Sequence, residues 1–144
     1  MKTRVLMLAA AALAMTAAAV KAADAKAELD KLTGTWTAVS IERDGTPASS
    51  DQVAKVKLVV DGESYVYHSG DDKVEGKHML DPSKSPKEID AVRSTGPDAG
   101  KTIRGIYELD GDQFRVCLGT PGGERPTEFS TKAGSGHRLL VFKR

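Results

Sequence analysis

The stretch KVKLVVDGESYVYHSGDDKVEGKHML, residues 55–80, decides the fold, because two tight-turn signals in it are flanked by alternating apolar and polar residues. Asp61-Gly62 suits a two-residue type I′ loop, in which both central residues need positive φ. That loop sets Leu58 opposite Tyr65 and Val56 opposite Tyr67, leaving Lys55, Lys57, Ser64 and His68 on the other face. Gly70-Asp71 suits a type II′ loop with glycine first, which sets Tyr67 opposite Val74 and Tyr65 opposite Gly76. The apolar face then continues to His78 and Leu80 without changing side. A slip of one residue would scatter this apolar set over both faces.

The same logic applies further along, in KTIRGIYELDGDQFRVCLG, residues 101–119. With Asp110-Gly111 as the loop, Tyr107 meets Phe114, Gly105 meets Val116 and Ile103 meets Leu118. Arg104, Ile106, Glu108, Arg115 and Cys117 fall on the opposite face. Three separate turns thus give three amphipathic hairpins, and the pattern is an antiparallel meander.

Further β-rich runs over 35–43 and 87–94, and a last hairpin over 127–143, bring the count to eight or nine strands. Consecutive short strands with one inward apolar face close most naturally into an up-and-down barrel, because closure removes exposed edges. A two-sheet sandwich is the competing architecture. Ahead of the strands, DAKAELDKL, residues 24–32, is built of good helix formers with Ala25, Leu29 and Leu32 on one side, and predicts a short N-terminal helix. One helical turn is predicted over 49–55, and DPSKSPKE and GPDAGK read as exposed loops. The expected fold is an all-β antiparallel barrel of about eight strands behind a short helix.

Residues 1–22 read as a secretory signal peptide. Lys2 and Arg4 precede an Ala/Leu-rich run too short and Ala-diluted to span a membrane, and Val20-Lys21-Ala22 has the small-residue pattern of a cleavage site. Cleavage there leaves residues 23–144 as one domain, expected to be periplasmic or secreted, monomeric, and without a membrane anchor, since the only cysteine is Cys117. The mature chain holds 18 basic and 20 acidic side chains, a balance that gives nucleic acid nothing to bind. A lone cysteine makes no internal disulfide, so Cys117 reads as a small buried strand residue rather than a reactive thiol.

Gly34-Thr35-Trp36 at the start of the first strand, after a helical lead-in, resembles the opening of the lipocalins and their calycin relatives, including the fatty-acid-binding proteins. More closely, LTGTW, LDPSKSPKEID, GIYELDGD, RPTEFST and GSGH, in that order, resemble a lipocalin-like domain of unknown function found in exported planctomycetal proteins. This resemblance covers almost the whole mature chain and implies the barrel, but no catalytic residues. The second lipocalin signature, a late Thr-Asp-Tyr turn, is absent, as is a long helix after the last strand. Small exported inhibitors of metalloproteases are similar in size and compartment, although no inhibitory segment is found.

In lipocalins the strand-one tryptophan fills the closed end under a basic side chain from the chain's end. The resemblance therefore implies a structural set of Gly34 and Trp36, covered by Arg144. Pairing Phe129 with Leu140 in the last hairpin puts Arg138, Leu140, Phe142 and Arg144 inward, with Arg138 about 20 Å from Arg144 along the strand. Fatty-acid-binding proteins hold a ligand carboxylate with such an inward arginine. Here Leu140 stands where that family's Arg-x-Tyr has tyrosine, so half of that clamp is present. The expected pocket is lined by Leu58, Tyr65, Tyr67, Tyr107, Phe114 and Val116, with Arg138 as its polar anchor.

No other constellation carries chemistry. His68, His78 and His137 share no ligand spacing with a nearby cysteine or acid, so no metal site is expected. No serine sits in a nucleophile elbow, no glycine loop is placed to cradle phosphate, and neither an enzyme nor a cofactor is expected. Asp90, Arg104 and Arg115 read as a solvated outer charge cluster, and TPGGERPTEF, residues 120–129, as a hairpin loop with an ordered exit. The functional expectation is binding of a small apolar or amphipathic ligand. An envelope-protein interaction module or protease-inhibitor-like barrel is the alternative, since an eight-stranded barrel can also be filled by its own side chains.

Overall fold

The computed structural model describes residues 16–144; the greater part of the expected signal peptide, residues 1–15, lies outside the described residues. The elements are α1 (Ala17–Leu32), β1 (Gly34–Arg43), β2 (Thr46–Pro47), α2 (Ser50–Ala54), β3 (Val56–Asp61), β4 (Ser64–Ser69), β5 (Asp72–Asp81), β6 (Lys87–Arg93), β7 (Thr102–Asp110), β8 (Gln113–Leu118) and β9 (Arg138–Lys143). Every neighbouring pair is antiparallel, and β9 returns to pair with β1. The chain is therefore an all-β up-and-down barrel of eight strands, β1 and β3–β9, with the two-residue β2 as an appendage of β1.

The hairpin faces are those expected, but two registers are corrected. Gly62-Glu63 and Gly111-Asp112 form the loops, so Leu58 pairs with Tyr67 and Tyr107 with Val116. In each loop glycine is the first residue and is alone in having positive φ, 57° at Gly62 and 56° at Gly111, as a type II′ turn requires. Both corrections shift the pairing by two residues, which leaves every side chain on its original face. The Gly70-Asp71 hairpin has the expected register throughout. A type I′ pair does occur, but at Asp44-Gly45, with φ of 50° and 79°, between β1 and β2.

The expected final hairpin is corrected more deeply. Only Arg138–Lys143 is strand, and it pairs with β8 on one side and β1 on the other, so Phe114 meets Phe142 and Val116 meets Leu140. Closure uses both edges of β9 and leaves residues 119–137 no strand to join. They form a strap over the outer face instead. Arg125 ties the strap down by ion pairs to Asp90 at 2.7 Å and Glu88 at 3.4 Å, and donates to the carbonyls of Ile89 and Gly105. Arg104 donates to the Gly123 carbonyl, and Arg115 pairs with Glu108 while stacking on Phe129. The expected cluster of Asp90 with Arg104 and Arg115 is thus replaced by one centred on Arg125. Ile106 and the free thiol of Cys117 point outward yet are buried, because the strap covers them.

One pole of the barrel is sealed. α1 is longer than expected because the alanine-rich residues before Asp24 extend the helix, capped by Thr16. Its Leu29 and Leu32 enter the core beside Trp36, Phe114 and Phe142. The Trp36 indole donates to the Leu32 carbonyl at 2.8 Å, and the Arg144 guanidinium lies 4.2 Å above the indole centroid while donating to the carbonyls of Thr33 and Gly111. Gly34 opens β1 at φ 143°, a backbone conformation that residues with a side chain rarely adopt.

Midway between the poles β1 carries a bulge. Ala38 pairs with Phe142, but the next partners are Ser40 with Val141 and Ile41 with Leu140, so Val39 is the extra residue and is left 52% exposed. The bulge changes which residues face inward, from Trp36 and Ala38 before it to Ile41 and Arg43 after it.

Candidate ligand-binding site

The open pole leads into a cavity of about 300 Å³. Its floor is the top of the sealed pole, formed by Leu32, Phe114 and Phe142, and its walls include Leu58, Tyr65, Tyr67, Val116 and Leu140. Three arginines line it as well: Arg43 at the end of β1, Arg93 at the end of β6 and Arg138 at the start of β9. All three stand at the strand ends furthest from α1, so the cavity has an apolar floor and a cationic mouth.

Arg138 is half-buried, with its guanidinium 5.8 Å from the Tyr67 ring centroid and one nitrogen 3.4 Å from the Tyr67 hydroxyl. Burial lowers its pKa against the opposing pull of Tyr67, and the nearby charges of Arg43 and Arg93 lower it further. Arg93 is paired with Asp98 at 3.0 Å. Tyr65 lies across Gly76, which in turn is the ladder partner of Arg93. Burial raises the Tyr65 hydroxyl pKa. His78 is buried beneath Tyr65, its ring 5.5 Å away, and its Nε2 lies 2.9 Å from the Gly62 carbonyl. A carbonyl only accepts, so Nε2 carries the proton, and burial keeps the imidazole neutral by lowering its pKa.

Of the residues expected in the pocket, Leu58, Tyr65, Tyr67, Phe114, Val116 and Arg138 line this one cavity. Tyr107 does not. It is buried under α1, its ring 6.2 Å from that of Phe114, and its hydroxyl donates to Glu28, which also accepts from Lys87 at 3.2 Å. Trp36 and Arg144 belong to the sealed pole and stay outside the lining.

Arg43 and Arg93 were not singled out in the sequence. The alternation Ile89, Ala91, Arg93 signals the second, since the first two are buried core residues. Arg43 has no such signal, because its inward face depends on the bulge. Among the described residues no cluster of histidine, cysteine and acid side chains has the makings of a metal site, and no helix is long and apolar enough to cross a membrane.

Set against protein-family models, curated proteins and solved structures, the chain matches none of them.

Proposed function

We propose that this protein is an exported, lipocalin-like carrier that holds one small amphipathic molecule in its barrel and acts by binding rather than by chemistry. The observation that carries the reading is the cavity itself, about 300 Å³ and apolar below its mouth. That is at the lower end of ligand-pocket volumes, typically about 300–1,000 Å³, and well above the space a packing defect leaves. The sealed pole supports the same reading, since a barrel closed at one end and open at the other gives a ligand one route in. Export rests on the signal-like residues 1–22, and the lipocalin-like assignment on the motif set that opens at Gly34-Thr35-Trp36. Arg138 is the polar anchor and Tyr65, Tyr67 and Phe114 are the contact surface.

Native mass spectrometry of protein purified from its own host tests the proposal. The folded barrel is expected to carry one small molecule. A barrel that arrives bare, and stays bare when offered ten-carbon amphiphiles with neutral and anionic heads, overturns it.

A further inference from the structure

Arg43 and Arg138 are direct ladder partners on β1 and β9, and both line the cavity. Like charges placed directly opposite each other on one face of an antiparallel pair repel. Among the described residues neither has a carboxylate within ion-pair distance, whereas Arg93, the third arginine of the mouth, has Asp98 at 3.0 Å. The polar partner that Arg138 does have is the hydroxyl of Tyr67. The bulge at Val39 is what turns Arg43 inward, and without it the acidic Glu42 would take that place. The chain thus brings two uncompensated guanidinium groups together over an apolar chamber.

From this arrangement we infer that the mouth is a head-group site for an organic oxyanion, a carboxylate or phosphate bridging Arg43 and Arg138, with the ligand's apolar tail pointing down to Phe114 and Phe142. The inference rests on the carrier reading above and adds the ligand's charge, orientation and size. Two planar guanidinium forks suit an anion with at least two acceptor oxygens, because each fork delivers parallel N–H donors. Arg138, Leu140 and Phe142 follow one another on the same face of β9, so the floor is roughly 13 Å along the strand below the head group. At the ~30 Å³ that one water occupies in the liquid, 300 Å³ holds about ten non-hydrogen atoms. The ligand is therefore a medium-chain or compact aromatic anion rather than a long-chain lipid.

Calorimetric titration of the purified protein with decanoate, decyl phosphate, decan-1-ol and hexadecanoate separates the outcomes. At least one of the ten-carbon anions is expected to bind about tenfold or more tighter than decan-1-ol, and which of the two it is identifies the head group. Hexadecanoate is expected to bind more weakly than decanoate. Arg43→Gln, at an exposed position that the fold does not need, is expected to remove most of the preference for the anion, while Lys57→Gln on the outer face leaves it unchanged. Equal binding of decan-1-ol and both ten-carbon anions overturns the head-group site and leaves the carrier reading standing. Equal loss in Arg43→Gln and Lys57→Gln also overturns it, because the attraction is then general to the surface. Binding of none of the four overturns both.

Discussion

The hydroxyl of Tyr107 donates to the carboxylate of Glu28 across 2.9 Å, joining the helix ahead of the barrel to the far side of its wall. Both residues are buried, and Lys87 provides the balancing charge from the rim. Burial, then the bond to Glu28, holds the phenol pKa far above its ordinary value, so this hydroxyl keeps its proton and donates the hydrogen bond to the carboxylate. The pair explains why an aromatic on the inward face takes no part in the cavity.

Glu28→Ala is expected to destabilise the protein by about 1–3 kcal/mol, because it strands a buried hydroxyl donor. Tyr107→Phe is expected to cost less, since Lys87 still serves the carboxylate. Urea unfolding of the two single variants and the double variant checks the pairing. The costs should fall short of additivity by at least about 0.5 kcal/mol. Simple addition would show that the two side chains are not coupled.

Gly76→Ala is expected to lower the melting temperature and narrow the cavity. An added Cβ would lie 2.5 Å from the Tyr65 hydroxyl oxygen and 2.5 Å from the Val92 carbonyl. The side chain can swing aside, but the backbone carbonyl belongs to a neighbouring strand and cannot, so the cost is about 1–3 kcal/mol. Adding Tyr65→Leu should therefore fail to restore the melting temperature. Full restoration would mean that the ring, and not the strand, sets the limit.

Stability is expected to fall as pH drops below about 6.5, the ordinary value for histidine, because of His78. Burial depresses its folded-state pKa below that of the unfolded chain. The unfolded state therefore takes up a proton first, and stability present above about pH 6.5 is lost as pH falls toward the folded-state value. Melting temperatures between pH 7.5 and pH 5 check this, and His78→Gln should flatten the profile over that window. An unchanged slope in the variant would place the titrating group elsewhere.

The strand faces were legible in the sequence because alternation has a period of two, and the errors made at Asp61-Gly62 and Asp110-Gly111 were themselves two-residue shifts. Leu58, Tyr65, Tyr67, Phe114, Val116 and Arg138 were therefore found together even though some of their partners were misassigned. Tyr107 was misplaced because alternation gives a side and no depth, and its partner Glu28 lies 79 residues away on a helix. Only the later part of the strap, from residue 127 on, reads as strand in the sequence, because Thr127 to Phe129 has strand-like composition. What excludes it is closure of β9 onto β1, a long-range event without a local signature.

The bulge at Val39 lets Trp36 and Arg43, an odd number of residues apart on β1, face the same interior. Deleting Val39 would remove the bulge and leave Ala38 opposite Phe142 and Arg43 opposite Arg138, whereas pairing Val39 into the ladder, with no residue lost, would turn Arg43 to solvent and bring Glu42 beside Arg138, away from its bond to Thr131 on the strap. In that flattened register two adjacent guanidinium groups would become an arginine and a carboxylate neutralising each other. The sign of the charge at the mouth thus depends on how β1 is registered against β9 and not on Val39 itself, so a chain lacking that one residue should keep both arginines at the opening.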